Sequence, residues 1–373
     1  MIYFDNAATT PVSEEVLSSF DKVVTKYFAN PASNHKLGQI SADLEKKARE
    51  QIAKLFLVED NEVIFTSGAT ESNNLAIKGA AFRYKNRGNH IITTNVEHPS
   101  VLNAFALLEE QFGFKVTYLP VSSEGTVNVK QVEDALQDDT FLVSIMSVNN
   151  EIGSINDVEA IAKMLKKYPK ILFHVDATQS IGKIDISLKN IDLLSMSAHK
   201  INGFKGSGIL IKKKNIDLVP LLSGGGQEQN IRSGTNNFPY EVCISKALRI
   251  ALQNREKHYI YVKELNDYLR EKLSSIEGVS INSPLNGSPY ILNFSINKKA
   301  SVITEGLSNE DIYVSTKSAC SSKHSPYSYV IKALGKSEQE ATNSIRISFS
   351  YQNTKQEIDI FCQKLENLLN TIK

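Results

Sequence analysis

The chain has 373 residues, with 42 Lys and Arg against 41 Asp and Glu, and 41% of its residues are hydrophobic. The near-zero net charge does not indicate binding to nucleic acid or to an anionic membrane surface. The ordinary hydrophobic content excludes an intrinsically disordered chain. Three cysteines are too few for a disulfide framework, and no apolar run approaches the ~20 residues that span a bilayer. The N-terminus does not read as a signal peptide, so we expect a cytoplasmic globular enzyme.

Short β-rich runs alternate with longer helical patterns from about residue 15 to 255. Several of these runs are apolar throughout, as strands buried on both faces are. The alternation predicts an α/β fold with a mostly parallel, seven-stranded sheet covered by helices. The predicted strands are 62–66, 90–94, 115–119, 141–145, 171–175, 192–197 and 208–211.

The pattern changes near residue 239, where a long helix is predicted to run to about residue 275. It is followed by predicted strands and a closing helix over 355–373, which is typical of a smaller α+β domain. The predicted strands are 290–296, 312–314 and 345–349. We therefore expect a large domain over 16–256, and a small domain built from 1–15 and 257–373.

The segment 66–72 follows a predicted strand and precedes a helical pattern. Gly68 permits a tight turn, and the amides of Ala69 and Thr70 would then point from a helix N-terminus at an anion. This arrangement predicts a phosphate site. An ordinary strand-to-helix loop with Ser and Thr caps would have the same local sequence.

Two further segments place a charged side chain at the end of a predicted strand. Asp176 follows the strand 171–175, where a carboxylate can hold a ligand's ring nitrogen protonated; a helix N-cap is the alternative. Lys200 follows the strand 192–197, where burial would favour imine formation with a carbonyl; a solvent-reaching lysine is the alternative. A phosphate site, an acid for a ring nitrogen and a strand-end lysine on one sheet predict a pyridoxal 5'-phosphate (PLP) site.

The chain resembles the cysteine desulfurases of the NifS/IscS type, in the class V aminotransferase group of fold-type I PLP-dependent transferases. The resemblance covers essentially the whole chain through motifs in the family's order. These are YFDNAATT (3–10), NPASNH (30–35), TSGATES (66–72), EH (97–98), VNNEIG (148–153), HVDATQ (174–179), SAHK (197–200), GGGQE (224–228), RSGT (232–235), SACSS (318–322) and SIR (344–346).

The resemblance implies a role for each matching residue. Lys200 would be the Schiff-base lysine, and His98 would stack on the cofactor ring and move protons. Asp176 would pair with the ring nitrogen, while Gln179 and Asn149 would contact the phenolic oxygen side. The residues implied around the phosphate are Ala69, Thr70, Ser197 and His199, with Thr235 reaching the phosphate of a partner subunit in a homodimer. Arg346 would bind the substrate carboxylate, with Asn149 beside it.

The resemblance also implies the reaction. Sulfur would be removed from L-cysteine to give L-alanine and a persulfide on Cys320. The persulfide would then pass to an acceptor protein for iron–sulfur cluster assembly or tRNA thiolation, and the short sequence after the last predicted helix favours a dedicated acceptor. Lys317, Lys323 and His324 are close in sequence to Cys320 and would lower the pKa of its thiol. Cys243 and Cys362 are expected to be buried structural residues.

Three alternatives stay open at this point. A selenocysteine lyase would use the same site, a class V aminotransferase would have no use for Cys320, and a non-catalytic scaffold would not need Lys200 or His98. The histidines are scattered, and neither HExxH nor paired CxxC motifs occur, so we expect no metal site. We also expect no direct contact with nucleic acid or membrane.

Overall fold

The computed structural model describes residues 1–316 and 327–371, which form twelve strands and eleven α-helices. The strands are β1 (Ile2–Tyr3), β2 (Val63–Thr66), β3 (His90–Thr94), β4 (Lys115–Leu119), β5 (Thr140–Ser144), β6 (Leu172–Asp176), β7 (Leu193–Ser197), β8 (Gly208–Lys212), β9 (Val279–Ile281), β10 (Ile291–Ile296), β11 (Ile312–Tyr313) and β12 (Ser344–Ser348). The helices are α1 (Glu14–Lys26), α2 (Lys36–Phe56), α3 (Ala69–Tyr84), α4 (Pro99–Phe112), α5 (Val129–Asp134), α6 (Val158–Leu165), α7 (Phe238–Ser274), α8 (Ala300–Asn309), α9 (Tyr329–Ala333), α10 (Glu338–Thr342) and α11 (Lys355–Thr371). None of these helices is long and apolar enough to cross a membrane.

The predicted seven-stranded sheet is confirmed, in the order β2-β8-β7-β6-β5-β3-β4. Each predicted strand of this sheet is present, with ends shifted by no more than one residue. Strand β8 runs antiparallel to its neighbours β2 and β7, and the remaining pairs are parallel. The carboxyl ends of β6 and β7 therefore lie side by side, which is where a ligand crevice forms in such sheets.

Both faces of the sheet are apolar because helices cover both. In β8, Ile209 and Ile211 pack into one hydrophobic cluster and Leu210 into the cluster on the opposite face. This alternation follows from the two-residue period of a strand. Helix α3 is buried on most of its surface, and its Ala and Gly residues let it lie close to the sheet.

A further hydrophobic cluster surrounds the antiparallel sheet β12-β10-β9 and the parallel pair β1-β11. Phe4 joins this cluster, with ring centroids 5.5 Å from Phe349 and 5.9 Å from Phe361. The N-terminal residues thus pack with the C-terminal part of the chain, as the predicted grouping of 1–15 with 257–373 requires. The domain bounds themselves stay a prediction.

Helix α7 packs against the large sheet and against the smaller antiparallel sheet. Its first half packs Cys243 and Leu248 against the large sheet, and its second half packs Val262 and Leu273 with the smaller sheet. Strands β1 and β9 were not predicted, because runs of two and three residues are too short to show a period.

Gly208, at the start of β8, has no room for a side chain. A Cβ there would lie 2.5 Å from Gly68 Cα, in the turn that leads into α3. We therefore expect Gly208→Ala to lower the free energy of unfolding by roughly 1–3 kcal/mol, the usual cost of overpacking. Denaturant unfolding measures this. Ser207→Ala, which removes an atom at the adjacent residue, is the control, and equal stability of the two variants would contradict the close packing.

Candidate active site

A cavity of about 350 Å³ opens where β6 and β7 end and α3 begins. This volume is within the range of ordinary small-molecule sites. Most of the residues predicted from the sequence meet there. The predicted residues that line the cavity are Ala69, Thr70, His98, Asp176, Gln179, Ser197, His199, Lys200 and Arg346.

One end of the cavity is formed by the N-terminus of α3. This helix is 16 residues long, and its first amides have no partner within the helix, so they favour an anion. Glu71 in the first turn does not oppose this, because its carboxylate accepts the Ser67 N–H at 2.7 Å and pairs with Arg232 Nε at 2.9 Å. Lys205, which the sequence analysis did not single out, also lines the cavity.

Asp176 is the last residue of β6 and is held rigidly. Its Oδ1 accepts the Thr178 N–H at 3.0 Å, and its Oδ2 accepts Asn73 Nδ2–H at 2.8 Å. Asn73 lies in α3 and also donates to Ser100 Oγ at 2.9 Å. The sequence analysis missed Asn73, because nothing local shows that α3 faces the end of β6.

His98 caps α4, and its Nδ1 accepts the Ser100 N–H at 3.1 Å. Ser100 Oγ lies 2.8 Å from the same nitrogen. Because this oxygen accepts a hydrogen bond from Asn73, the Ser100 hydroxyl proton can point at His98 Nδ1. The pKa of His98 is lowered, mainly by burial and further by Lys200, although Asp176 opposes this. The ring is therefore neutral, with its proton on Nε2.

Lys200 lies in a single 3-10 turn directly after β7. Its Nζ donates to the backbone carbonyls of Ala7 and Ala8, each at 2.6 Å. The Ala7 carbonyl also accepts Gln179 Nε2–H at 2.9 Å. His199 beside it is neutral, since burial and then Lys200, Lys205 and Lys183 lower its pKa to about 3.

Arg346, in β12, is 1% exposed. Its Nη2 pairs with Asp5 Oδ1 at 2.8 Å, and its Nη1 donates to the Asn150 carbonyl at 2.8 Å. Its Nε has no hydrogen-bond partner among the described residues. A buried guanidinium with an unpaired N–H at the cavity wall is suited to bind an acid group. Asp5 lies in one of the matched motifs, but the sequence analysis gave it no role.

Two of the described residues predicted for the site do not line the cavity. The side chain of Asn149 is occupied by the loop, donating to the Val96 carbonyl and accepting the amides of Glu151 and Ile152. Thr235 is exposed on the loop before α7. Cys320 lies outside the described residues, as do Lys317, Lys323 and His324.

The two other cysteines, Cys243 and Cys362, are buried and not disulfide-bonded. Burial raises the pKa of each to about 12. Both are therefore protonated thiols at neutral pH, which is unfavourable for a nucleophile.

The lining fits PLP. The N-terminus of α3 suits its phosphate, the Asp176 carboxylate suits a protonated ring nitrogen, and the Lys200 amine suits its carbonyl carbon. Thr178 Oγ1 is buried at the cavity wall without a hydrogen-bond partner among the described residues, so the lining still has polar groups to satisfy.

Glu97, beside His98, is fully buried and was quoted only as part of a motif. Its Oε1 accepts Thr94 Oγ1–H at 2.8 Å and the Met146 N–H at 2.9 Å. Burial raises the pKa of Glu97 to about 8, although these hydrogen bonds oppose the shift. A neutral carboxylic acid therefore lies next to His98 at pH 7, and no negative charge is added there.

Comparison with known proteins gives a consistent result. The family model for class V aminotransferases matches residues 2–361. A cysteine desulfurase IscS of Buchnera aphidicola subsp. Baizongia pistaciae is 44% identical and covers 100% of this chain and 93% of its own. A solved NifS-like protein has a TM-score of 0.94 at 39% identity over 100% of both chains. A solved SspA in complex with cysteine has a TM-score of 0.82 at 36% identity, over 95% of this chain and 100% of its own.

The raised pKa of Glu97 makes stability depend on pH. The protonated Glu97 carboxyl stabilises the folded protein. This contribution is fully present below the pKa of Glu97 in the unfolded chain, near 4.5, and is lost as the pH rises through its folded pKa of about 8. Relative to Glu97→Gln, the wild-type free energy of unfolding should fall between these pH values by at most about 1.4 kcal/mol per pH unit. Denaturant unfolding across this range measures the slope. Glu110→Gln, an exposed change in α4, is the control. If the difference in free energy of unfolding between wild type and variant changes equally with pH for both variants, Glu97 is not a neutral acid in the folded protein.

Proposed function

Because the chain belongs to the class V aminotransferase family and is a PLP-dependent cysteine desulfurase, we propose that this cavity binds the cofactor and L-cysteine together. The observation that carries the proposal is the meeting of Lys200, Asp176 and the N-terminus of α3 in one cavity. Lys200 would hold the cofactor covalently. When bound, PLP supplies an electron sink for the bonds at the substrate α-carbon.

Several residues would hold the cofactor without reacting. Asp176, fixed by Asn73 and Thr178, keeps the ring nitrogen protonated. The amides of Ala69 and Thr70, with Ser197 and His199, bind the phosphate. Gln179 donates an N–H toward the phenolic oxygen. Asn149 acts through the loop that it braces.

Lys200 and His98 would move the protons. The Lys200 amine, positioned by the two carbonyls of Ala7 and Ala8, is suited to take the α-proton of the substrate. His98, neutral and with its proton on Nε2, is suited to return a proton to the product. The chain from His98 through Ser100 and Asn73 to Asp176 keeps that ring in one tautomer.

Arg346 would bind the carboxylate of L-cysteine. Its two Nη groups are already held by Asp5 and the Asn150 carbonyl, so the guanidinium is fixed before the substrate arrives. Its Nε, which has no hydrogen-bond partner among the described residues, is a donor for the carboxylate. Preorganisation of this kind keeps the entropy lost on binding small.

Cys320 would accept the sulfur. The described residue Ser315 exchanges backbone hydrogen bonds with Arg346, and Tyr329 donates its hydroxyl to the Glu97 carbonyl at 2.6 Å. The chain on both sides of Cys320 is thus anchored at the cavity.

In this reaction the Cys320 thiolate attacks the substrate sulfur and forms an S–S bond. The substrate C–S bond breaks, its electron pair stays with the carbon, and that carbon takes up a proton. L-cysteine and the enzyme thiol thereby give L-alanine and a Cys320 persulfide. Atoms and electrons balance without an external oxidant.

The persulfide must be discharged before the next turnover. We propose an acceptor protein, either an iron–sulfur scaffold or a tRNA-thiolation enzyme, as the recipient. A free nucleophilic thiol also requires a reducing compartment, so the cytoplasm is the proposed location.

The active unit proposed is a homodimer. Thr235 is exposed and follows Arg232, whose ion pair with Glu71 ties this loop to the first turn of α3. Leu222, 47% exposed, forms a backbone bridge with Arg232. The adjacent Leu221 is also 37% exposed, and a contiguous exposed apolar patch of this kind is what a subunit interface buries.

Cys320→Ser tests the sulfur-accepting role. The variant should bind PLP and L-cysteine normally but release almost no sulfide, because a hydroxyl is a poor nucleophile toward sulfur. Wild type should form L-alanine from L-cysteine without a keto acid, whereas an aminotransferase needs one. The measurements are sulfide release with a reductant, alanine formation, and mass spectrometry of the Cys320 peptide.

Cys243→Ser and Cys362→Ser are the matched controls and should keep the rate within about threefold, since both thiols are buried and protonated. Full sulfide release by Cys320→Ser would contradict the proposal and favour the aminotransferase alternative. Selenocysteine assayed in parallel separates a selenocysteine lyase, which would use it in strong preference to cysteine.

Leu222→Asp tests the subunit interface. A charge buried against a partner should shift the protein from dimer to monomer and reduce activity in parallel. Light scattering measures the mass. Leu285→Asp, at an exposed leucine elsewhere, is the control. A wild-type protein that is active as a monomer would refute the dimer.

A further inference from the structure

Lys183 is a buried lysine that the reaction proposed above does not use. It lies in the turns after β6 and is 8% exposed. No carboxylate in the described part of the chain forms an ion pair with it, and the charges that act on it are those of Lys200 and Arg346. Burial and these two cations lower the pKa of Lys183 to about 7. A buried cation without a counter-ion costs folding free energy, so its presence calls for a local reason.

The hydrogen bond of Lys183 supplies that reason. Its Nζ donates to Gln179 Oε1 at 3.0 Å. In its ammonium form Lys183 can only donate, so the oxygen of the Gln179 amide faces it. The NH2 group of the amide then points the other way, where it donates to the Ala7 carbonyl at 2.9 Å and keeps a second hydrogen. Gln179 lines the main cavity.

Lys183 also lies close to Lys200 on the side away from the main cavity. A small cavity of about 50 Å³ is lined by both lysines. The Nζ of Lys183 lies 5.8 Å from the ring centroid of Tyr290, which stabilises its charge modestly. The titratable and charged groups around Lys183 are Lys200, His199, Arg346, His258, Tyr290 and Tyr351.

We propose that Lys183 is a positioning residue for the cofactor. It orients the Gln179 amide so that an N–H, and not the amide oxygen, faces the phenolic oxygen of PLP. This inference rests on the cofactor placement proposed above. An N–H donor favours the anionic form of that oxygen. Without Lys183, only the hydrogen bond to the Ala7 carbonyl holds the amide in this orientation. The amide oxygen would then face the phenolic oxygen more often and repel the same anion.

The visible absorbance of bound PLP, titrated from pH 6 to 10, tests the inference in the holoenzyme. Lys183→Met should move the midpoint of the titration to higher pH by on the order of one unit, because the ionised form loses its oriented donor. Lys183→Arg keeps a donor and a charge and should restore most of the midpoint. Lys189→Met, an exposed lysine on the same segment, is the control and should leave it unchanged.

The Gln179→Leu background shows whether Lys183 acts through Gln179. There Lys183→Met should move the midpoint clearly less than in the wild-type background, because the amide that it orients is absent. No shift in Lys183→Met, or equal shifts in both backgrounds, would overturn the inference. Thermal unfolding of the apoproteins confirms folding, and Lys183→Leu is used in the same scheme if Lys183→Met does not fold.

Lys200→Ala separates this inference from the proposed function. If Lys200→Ala keeps the pH-dependent absorbance band of the wild type, the assignment of Lys200 fails. If that band is lost in Lys200→Ala and Lys183→Met leaves the midpoint unchanged, the inference on Lys183 fails alone.

Discussion

The active site depends on a short N-terminal segment, residues 5–10, that connects the smaller antiparallel sheet to the large sheet. On one side, the Asn6 side chain donates to the Ser348 carbonyl at 2.9 Å, and the Ala7 amide donates to Ser348 Oγ at 2.8 Å. On the other side, the Thr10 amide donates to the His199 carbonyl at 2.9 Å. Between these anchors, the carbonyls of Ala7 and Ala8 hold Lys200. The position of the reactive amine is therefore set by residues distant from it in sequence.

The same segment accounts for the electrostatic balance of the cavity. Asp5 pairs with Arg346 and so holds one buried cation, while Lys200 is held by carbonyl dipoles instead of a carboxylate. Lys183, whose pKa is lowered to about 7, is a third basic group behind the cavity. With Glu97 neutral, Asp176 is the principal anion at the ring end. The excess of positive charge matches ligands that carry a phosphate and a carboxylate.

Much of the fold was predictable from the sequence, because the strands of the large sheet are apolar runs bounded by polar residues. Asp176 and Lys200 could be singled out since each follows such a run. Asn73 could not, because its role appears only when α3 is packed against β6. Lys183 resembled any other lysine in a loop until its burial was known. The Ala7 and Ala8 carbonyls give no signal, since every residue carries a carbonyl.

The anchoring of residues 5–10 on β12 has a consequence for synthesis of the protein. Ala7 and Ser348 are separated by 341 positions along the chain, so they can meet only after nearly all of the polypeptide has left the ribosome. Folding of the large sheet can precede this, since its contacts are more local. A nascent chain therefore completes its sheet well before the Lys200 amine is held in place. The N-terminal segment can therefore be anchored on β12 only in a chain whose synthesis is almost complete.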